Sequence, residues 1–249
     1  MKRYFGVFIL IVFYALLYVT PVFASVSVPI LVFHSFGPKP AKSETKMTLH
    51  YRITPTIFEE QMKYLSDNHY TPISLNTFVN NLKSNTAMPA KPVVLTFDDG
   101  WNSQYKYAVP VLEKYNFPAT FFVISEYRAG AYMTWDNLKD LVAHGFEIGS
   151  HTETHPKLPE LNKKDLKKEI EKSKKKLEDK LGIKVTTLAY PYYMHNKSVR
   201  GMVKSAGYLG ARAGSAKFKN SIEPIYELVA QESVNNPNPF SSKRLPDLP

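Results

Sequence analysis

Residues 92–100 read Pro92-Val93-Val94-Leu95-Thr96-Phe97-Asp98-Asp99-Gly100, an apolar run that ends in adjacent carboxylates and a glycine. A short apolar run bounded by turn residues is the pattern of a strand buried on both faces, as in parallel sheets. Outward from it, Val28–Phe33, Ala119–Ile124, Phe146–Ser150, Val185–Ala189, Tyr208–Ala213 and Ile225–Val229 have the same character. Helical patterns separate them. Thr56-Ile57-Phe58-Glu59 reads as a capping box for a helix striped by Phe58, Met62 and Leu65, and Val109, Leu112 and Tyr115 mark a second helix. Thr134 caps a third, reaching Ala143 and ended by Gly145. Asn162 opens a fourth, striped by Leu166, Ile170, Leu177 and Leu181 and closed by Gly182. Residues 37–52 have no strong period and read as a polar loop. Roughly seven or eight strands interleaved with helices predict an α/β fold, a single distorted β/α barrel of about seven parallel strands. An open doubly wound sheet is the competing architecture.

The chain has 249 residues, 44% hydrophobic and 22% charged, which is globular composition and excludes global disorder. It has no cysteine, which excludes a disulfide scaffold, a thiolate zinc finger and a thiol nucleophile. Any metal must therefore be held by His, Asp or Glu. No GxGxxG or Walker sequence occurs, so nucleotide chemistry is not expected. Lys2 and Arg3 precede the apolar run Phe5–Val19, and Thr20-Pro21-Val22-Phe23-Ala24 follows with small residues at the cleavage positions. That is a secretory signal pattern with cleavage after Ala24, and an uncleaved anchor is the competing reading. The expected organisation is a signal peptide over 1–24, one domain over 25–234, and a proline-rich disordered tail over 235–249. Export turns the formal charge of +10 toward an anionic cell surface or a surface polymer rather than nucleic acid. Nothing marks an obligate protein partner. The helix over 163–180 carries nine lysines and five acids, which reads as a solvated face supported by pairs such as Glu171 with Lys175.

In a β/α barrel, reactive side chains gather at the C-terminal ends of strands. Three strand ends here carry groups with chemistry. Asp98 and Asp99 would point to opposite sides of an extended chain, but Gly100 permits a turn that brings both to one site. One can then bind a cation while its neighbour acts as a general base; a plain Asp-Asp-Gly turn is the alternative. His151-Thr152-Glu153-Thr154-His155 places two histidines at a spacing that lets both imidazoles reach one metal. Two histidines and one carboxylate leave open positions on an ion such as zinc, as in hydrolytic sites. In Ala189-Tyr190-Pro191-Tyr192-Tyr193, Pro191 stiffens the chain while Tyr192 offers a backbone N–H and an aromatic wall. A strand exit lined with core tyrosines is the alternative there.

Together these segments resemble the polysaccharide deacetylases of carbohydrate esterase family 4, whose motifs read TFDDG, H(S/T)xxH and RxPY-Gly in this order. Thr96–Gly100 matches the first and His151–His155 the second, and the resemblance spans roughly residues 28–229. It implies a distorted β/α barrel and metal-dependent removal of N-acetyl groups from an amino-sugar polymer. It further implies Asp98 as general base and Asp99, His151 and His155 as metal ligands. Zinc is the first choice, with cobalt or nickel accepted by the same donors. Tyr192 would give its backbone N–H to an oxyanion hole, and Tyr190 and Pro191 would bind substrate. The third motif departs from the pattern, with Ala189 where Arg is usual and Tyr193 where Gly is usual. Its Ala-Tyr-Pro-Tyr form is similar to the branch acting on poly-N-acetylglucosamine, a biofilm exopolysaccharide. The missing Arg leaves the orientation of Asp98 open, and Tyr193 is expected to narrow or remodel the groove. The expectation is a secreted N-deacetylase. The alternatives are action on peptidoglycan or chitin oligomers, or a catalytically silent glycan-binding protein.

Two further residues complete the expected site. An acid must protonate the leaving amine, and Ile30-Leu31-Val32-Phe33-His34 delivers a histidine at the tip of a buried strand. First and last strands are neighbours in a closed barrel, so His34 can stand where related enzymes carry a late histidine; His195 is the reserve. Trp135, at a helix start, is expected either to wall a sugar ring or to pack in the core.

Overall fold

A computed structural model describes residues 28–38, 51–126, 130–214, 225–232 and 236–239. In chain order the strands are β1 (Ile30–Phe33), β2 (Ser35–Phe36), β3 (Arg52–Ile53), β4 (Thr71–Ile73) and β5 (Pro92–Phe97). They continue as β6 (Thr120–Val123), β7 (Glu147–Ser150), β8 (Thr187–Ala189), β9 (Gly210–Gly214) and β10 (Leu228–Glu232). The α-helices are α1 (Pro55–Asp67), α2 (Leu75–Ser84), α3 (Val109–Lys114), α4 (Trp135–Ala143), α5 (Lys163–Leu181) and α6 (Lys197–Ser205). The parallel ladder runs β1-β10-β9-β8-β7-β6-β5, and a β1–β5 pairing, Ile30↔Val94 through Phe33↔Phe97, closes it into a seven-stranded barrel. The open sheet is thereby excluded. β4 pairs beside the first half of β5, and β6 takes over along its end.

The period of two along each strand sorts the core into two clusters. Ile30, Val32, Val94, Phe122, Ala189, Leu228 and Ala230 point inward, where Leu75, Phe78 and Val79 of α2 join them at the N-terminal end of the barrel. Leu31, Phe33, Leu95, Phe97 and Phe121 point outward onto α1, α4, α5 and α6. Glu147 ties the inner end together, accepting from the Asn76 amide (2.8 Å) and from the hydroxyls of Thr120 (2.7 Å) and Thr187. Burial pushes its carboxyl pKa up.

Several local expectations change. The first helix is capped at Thr54, whose hydroxyl accepts from the Ile57 amide, because Pro55 lacks an N–H and fits the first helical turn; Thr56 lies inside the helix. Part of the stretch read as polar loop forms the β2–β3 bridge. The last strand begins three residues later than its apolar run, at Leu228 instead of Ile225, with the turn at 225–227 preceding it. The three-residue strand β4 and the helices α2 and α6, capped by Ser74 and Asn196, add to the elements expected from the sequence. The segment 1–24 lies outside the described residues, as does most of 235–249. Within that tail, the Asn236 carbonyl accepts from Gln61 of α1 (2.7 Å). Among the described residues no helix is long and apolar enough to cross a membrane.

Phe58 of α1 meets Phe33 and Phe36 at ring-centroid distances of 5.1 and 5.0 Å, and Phe97 stacks on Phe33 (5.0 Å) and Phe121 (4.7 Å). This aromatic cluster fixes the ends of β1, β5 and β6. Phe58→Ala is expected to cost about 3–5 kcal/mol of unfolding free energy, the usual scale for a buried Phe→Ala. Urea denaturation followed by circular dichroism measures it, and a cost under about 1 kcal/mol would show the cluster to be dispensable.

Candidate active site

Inward parity holds within β9 and continues past the ends of β1, β5 and β7. On β1 it runs Ile30, Val32, His34; on β5, Val94, Thr96, Asp98; on β7, Gly149, His151; on β9, Gly210, Arg212. Four polar side chains therefore meet at the C-terminal mouth of the barrel. Asp98 and His151 are both 2% exposed, and the Arg212 guanidinium is fully buried, with Nη2 donating to both Asp98 carboxylate oxygens. His34 Nε2 lies 3.8 Å from Asp98 Oδ2. Gln104, buried in a π-helical turn over Gln104–Ala108, donates to the carbonyls of His34 (2.8 Å) and Asp98 (2.5 Å) and so ties the two strand ends together.

Asp99 reaches the same site by a turn in its own backbone, at φ 73°, rather than through Gly100 alone. Trp101 Nε1 donates to its Oδ2 (2.9 Å), leaving Oδ1 3.4 Å from His151 Nε2 and 3.5 Å from His155 Nε2. Burial by itself would raise the Asp99 carboxyl, but His151, by hydrogen bond and charge, outweighs it with help from His34 and His155. The net result holds Asp99 well below the carboxylate range. Burial, reinforced by His151, lowers His155 to about 4, so its ring is neutral at ordinary pH and able to offer a lone pair. His151 Nδ1 pairs with the Ala189 carbonyl (2.8 Å), which fixes the ring and turns its Nε2 toward Asp99.

The donor set passes a geometric test for a divalent ion. Ligands about 2.0–2.2 Å from a tetrahedral ion stand roughly 3.3–3.5 Å apart. The 3.4 and 3.5 Å separations fall in that window, and one donor atom from each of Asp99, His151 and His155 lies within 4.8 Å of the others. The His155 side of the loop is anchored from outside. Thr152 Oγ1 accepts from the His155 amide (3.0 Å), and Glu169 of α5 accepts from both the amide (2.8 Å) and the hydroxyl (2.7 Å) of Thr154.

These groups open into a cavity of about 540 Å³, walled by Tyr51, Trp101, Tyr190, Tyr192 and Tyr193 with Ser35. Tyr192, 56% exposed, packs edge-on against His155 at 4.7 Å. The turn after β8 is closed by the amides of Tyr193 and Met194, and the Tyr192 amide is not used in closing it. Tyr190 is buried, with its hydroxyl on the Tyr226 carbonyl (3.0 Å). Pro191 is buried and is not part of the lining. Trp135 is not part of the lining: half-buried, it packs against the outer core, and the indole at the cavity is Trp101, stacked on Tyr132 at 4.6 Å. His195 is likewise absent from the lining; it faces Arg200 (3.2 Å) and Glu227 (3.7 Å).

A family model described as polysaccharide deacetylase matches residues 85–211, just over half of the chain and a span that contains both carboxylates, both histidines and the tyrosine turn. The chain belongs to the polysaccharide deacetylases. YxkH of Bacillus subtilis, which carries the family's name, is 30% identical over 181 residues, covering 72% of this chain and 62% of YxkH. A poly-β-1,6-N-acetyl-D-glucosamine N-deacetylase of Staphylococcus aureus is 28% identical over 180 residues, 66% of this chain and 62% of the relative. The match thus spans less than two thirds of either relative. The Streptococcus pyogenes deacetylase PplD, solved in complex with acetate, superposes with a TM-score of 0.80 at 24% identity, over 86% of this chain and 95% of that one. That likeness bears out the closed β/α barrel. Relative to the family pattern, the arginine absent at Ala189 is matched by Arg212, which reaches Asp98 from the next strand in the ladder. A lone arginine among small residues in Gly210-Ala211-Arg212-Ala213-Gly214 was the available signal.

Asp99→Ala, His151→Ala and His155→Ala are each expected to lose stoichiometric zinc in equilibrium dialysis. Glu169→Ala, which touches no ligand atom, is expected to weaken zinc binding by about 10–100-fold, while Glu169→Gln, still able to accept from Thr154, weakens it less. Wild-type affinity in any of the three ligand variants would remove that residue from the set.

Proposed function

We propose that this chain is an exported, metal-dependent N-deacetylase that hydrolyses acetamide groups on N-acetylglucosamine polymers of the poly-β-1,6-linked kind. The observation that carries the reading is the convergence of two separate devices in one aromatic-walled cavity. One is an Asp99–His151–His155 donor set with a side open to the cavity. The other is a second carboxylate, Asp98, fixed by a buried arginine. A glycan-binding groove needs neither. Similarity to the staphylococcal poly-β-1,6-N-acetyl-D-glucosamine N-deacetylase supports the polymer, and the segment Lys2–Ala24 supports export.

Asp99, His151 and His155 would hold the ion, zinc by donor type, and a bound divalent ion supplies Lewis acidity to the acetamide carbonyl and to a water. Asp98 takes the proton of the attacking water; with both its oxygens held by Arg212, it presents one fixed edge to the cavity. The Tyr192 backbone N–H donates to the oxyanion that forms as the carbonyl carbon becomes tetrahedral, a contribution of about 3–4 kcal/mol for a well-placed donor. As the C–N bond breaks, His34 passes a proton to the leaving amine, freeing acetate and leaving a glucosamine unit in the polymer. Tyr51, Trp101 and Tyr192 offer apolar ring faces to the pyranose.

Purified protein is expected to release acetate from acetylated glucosamine oligomers, to stop on chelation and to recover with added zinc. Asp98→Asn should keep the metal and lose about 10²–10⁴-fold in kcat, and a folded, zinc-loaded His34→Ala should lose at least about 10²-fold. Acetate release unaffected by the Asp98→Asn change would remove the general base. No acetate from any acetylated glycan by the zinc-loaded protein would sink the deacetylase reading in favour of glycan binding.

A further inference from the structure

Arg212 poses a physical problem that its pairing with Asp98 does not solve. The side chain is fully buried, and its Nε and Nη1 have no hydrogen-bond partner among the described residues. A buried donor without an acceptor is costly, and a buried charge more so. What faces the guanidinium is aromatic. Its central carbon lies 5.4 Å from the Phe122 ring centroid and 5.2 Å from that of Tyr193, both inside the range of cation–π attraction.

Both rings occupy space that glycine leaves open. A Cβ on Gly149 would stand 2.4 Å from Phe122 Cε1, and one on Gly214 would stand 2.2 Å from Tyr193 Cγ. Tyr193 also holds its backbone at φ 59°, in the left-handed region, where glycine would sit without strain. A strained tyrosine at a position where glycine would fit, over a glycine that makes room for its ring, points to a role for that ring.

We infer that Tyr193 is a positioning residue: its ring, admitted by Gly214, covers the Arg212 guanidinium and keeps that arginine seated on Asp98. Arg212, Gly214 and Tyr193 thereby act as one unit. For its kinetic consequence the inference rests on the deacetylase reading; its structural core does not.

The test is a double-variant cycle on the full-length protein, combining Tyr193→Leu with Arg212→Lys, which keeps the charge but loses the planar guanidinium. Two readouts are taken: kcat and KM for acetate release from acetylated glucosamine oligomers, and the Tm of chelator-treated protein. Tyr193→Leu is expected to lower kcat on the order of tenfold with KM moved less than about twofold. Tyr193→Phe, which keeps a ring, loses less. In the Arg212→Lys background, Tyr193→Leu is expected to add no further loss of kcat, and the two Tm decrements fall short of additivity. If Tyr193→Leu does not fold, Gly214→Ala displaces the ring and is expected to give the same kcat loss. A raised KM with kcat preserved, or additive effects in both readouts, overturns the inference and leaves Tyr193 a substrate contact without a hold on Arg212. Should the wild type release no acetate, the deacetylase reading fails, and the Tm cycle alone decides: coupled decrements support the clamp and additive ones overturn it.

Discussion

The Asp98–Arg212 ion pair is the interaction on which the mouth of the barrel is organised. Both partners are essentially dry, at 2% and 0% exposure. Removing two charges from water costs more than their attraction usually returns, so such a pair is weak evidence for stability. Its value is geometric. Arg212 bonds both oxygens of one carboxylate, which stops rotation about the Cβ–Cγ bond and fixes which edge Asp98 presents. The pair also joins β9 to the end of β5 across the barrel interior, so the carboxylate is held by strands from both halves of the chain. Breaking it by removing one partner strands the other as a buried charge, at about 3–5 kcal/mol in comparable cases.

Around that pair the backbone is strained where the chemistry lies. Asp99, Thr152, His155, Tyr192 and Tyr193 all hold positive φ, between 54° and 73°. Each such residue costs roughly 1–3 kcal/mol and persists when its surroundings over-determine it. The surroundings here are specific: the Trp101 indole on Asp99, the Thr152 hydroxyl under the His155 amide, Glu169 under Thr154, and the Tyr190 carbonyl accepting from Tyr193. Trp101, Tyr190 and Tyr193 line the cavity themselves, whereas Glu169 braces it from a helix outside the lining. Glu169 is one of five acids on a helix first read as a solvated lysine-rich face.

Much of this was legible because strand parity and strand ends are local properties. The run from Pro92 to Phe97 is a strand at those bounds, and the histidine pair follows a strand as expected. Asp98, Asp99, His34, His151 and His155 do meet in one cavity. What the sequence misassigned at the site depended on distant partners. Trp135 and Trp101 both lie near helix starts or turns, and nothing local says that one packs on the outer core while the other bonds Asp99. Thr54 displaced Thr56 as a cap because Pro55 suits the first helical position, a choice made by backbone geometry within three residues.

By itself, then, the sequence determined the alternation of strand and helix, the inward face of each strand and the donor types available for a metal, since all of these follow from residue type and a period of two or 3.6. Only the tertiary structure decided which arginine serves Asp98. Ala189 and Arg212 lie on adjacent strands, β8 and β9, paired in register, so a side chain from either can reach the same point inside the barrel. That equivalence exists only once the sheet has closed, because hydrogen-bonded neighbours about 4.8 Å apart in space are here more than twenty residues apart in sequence.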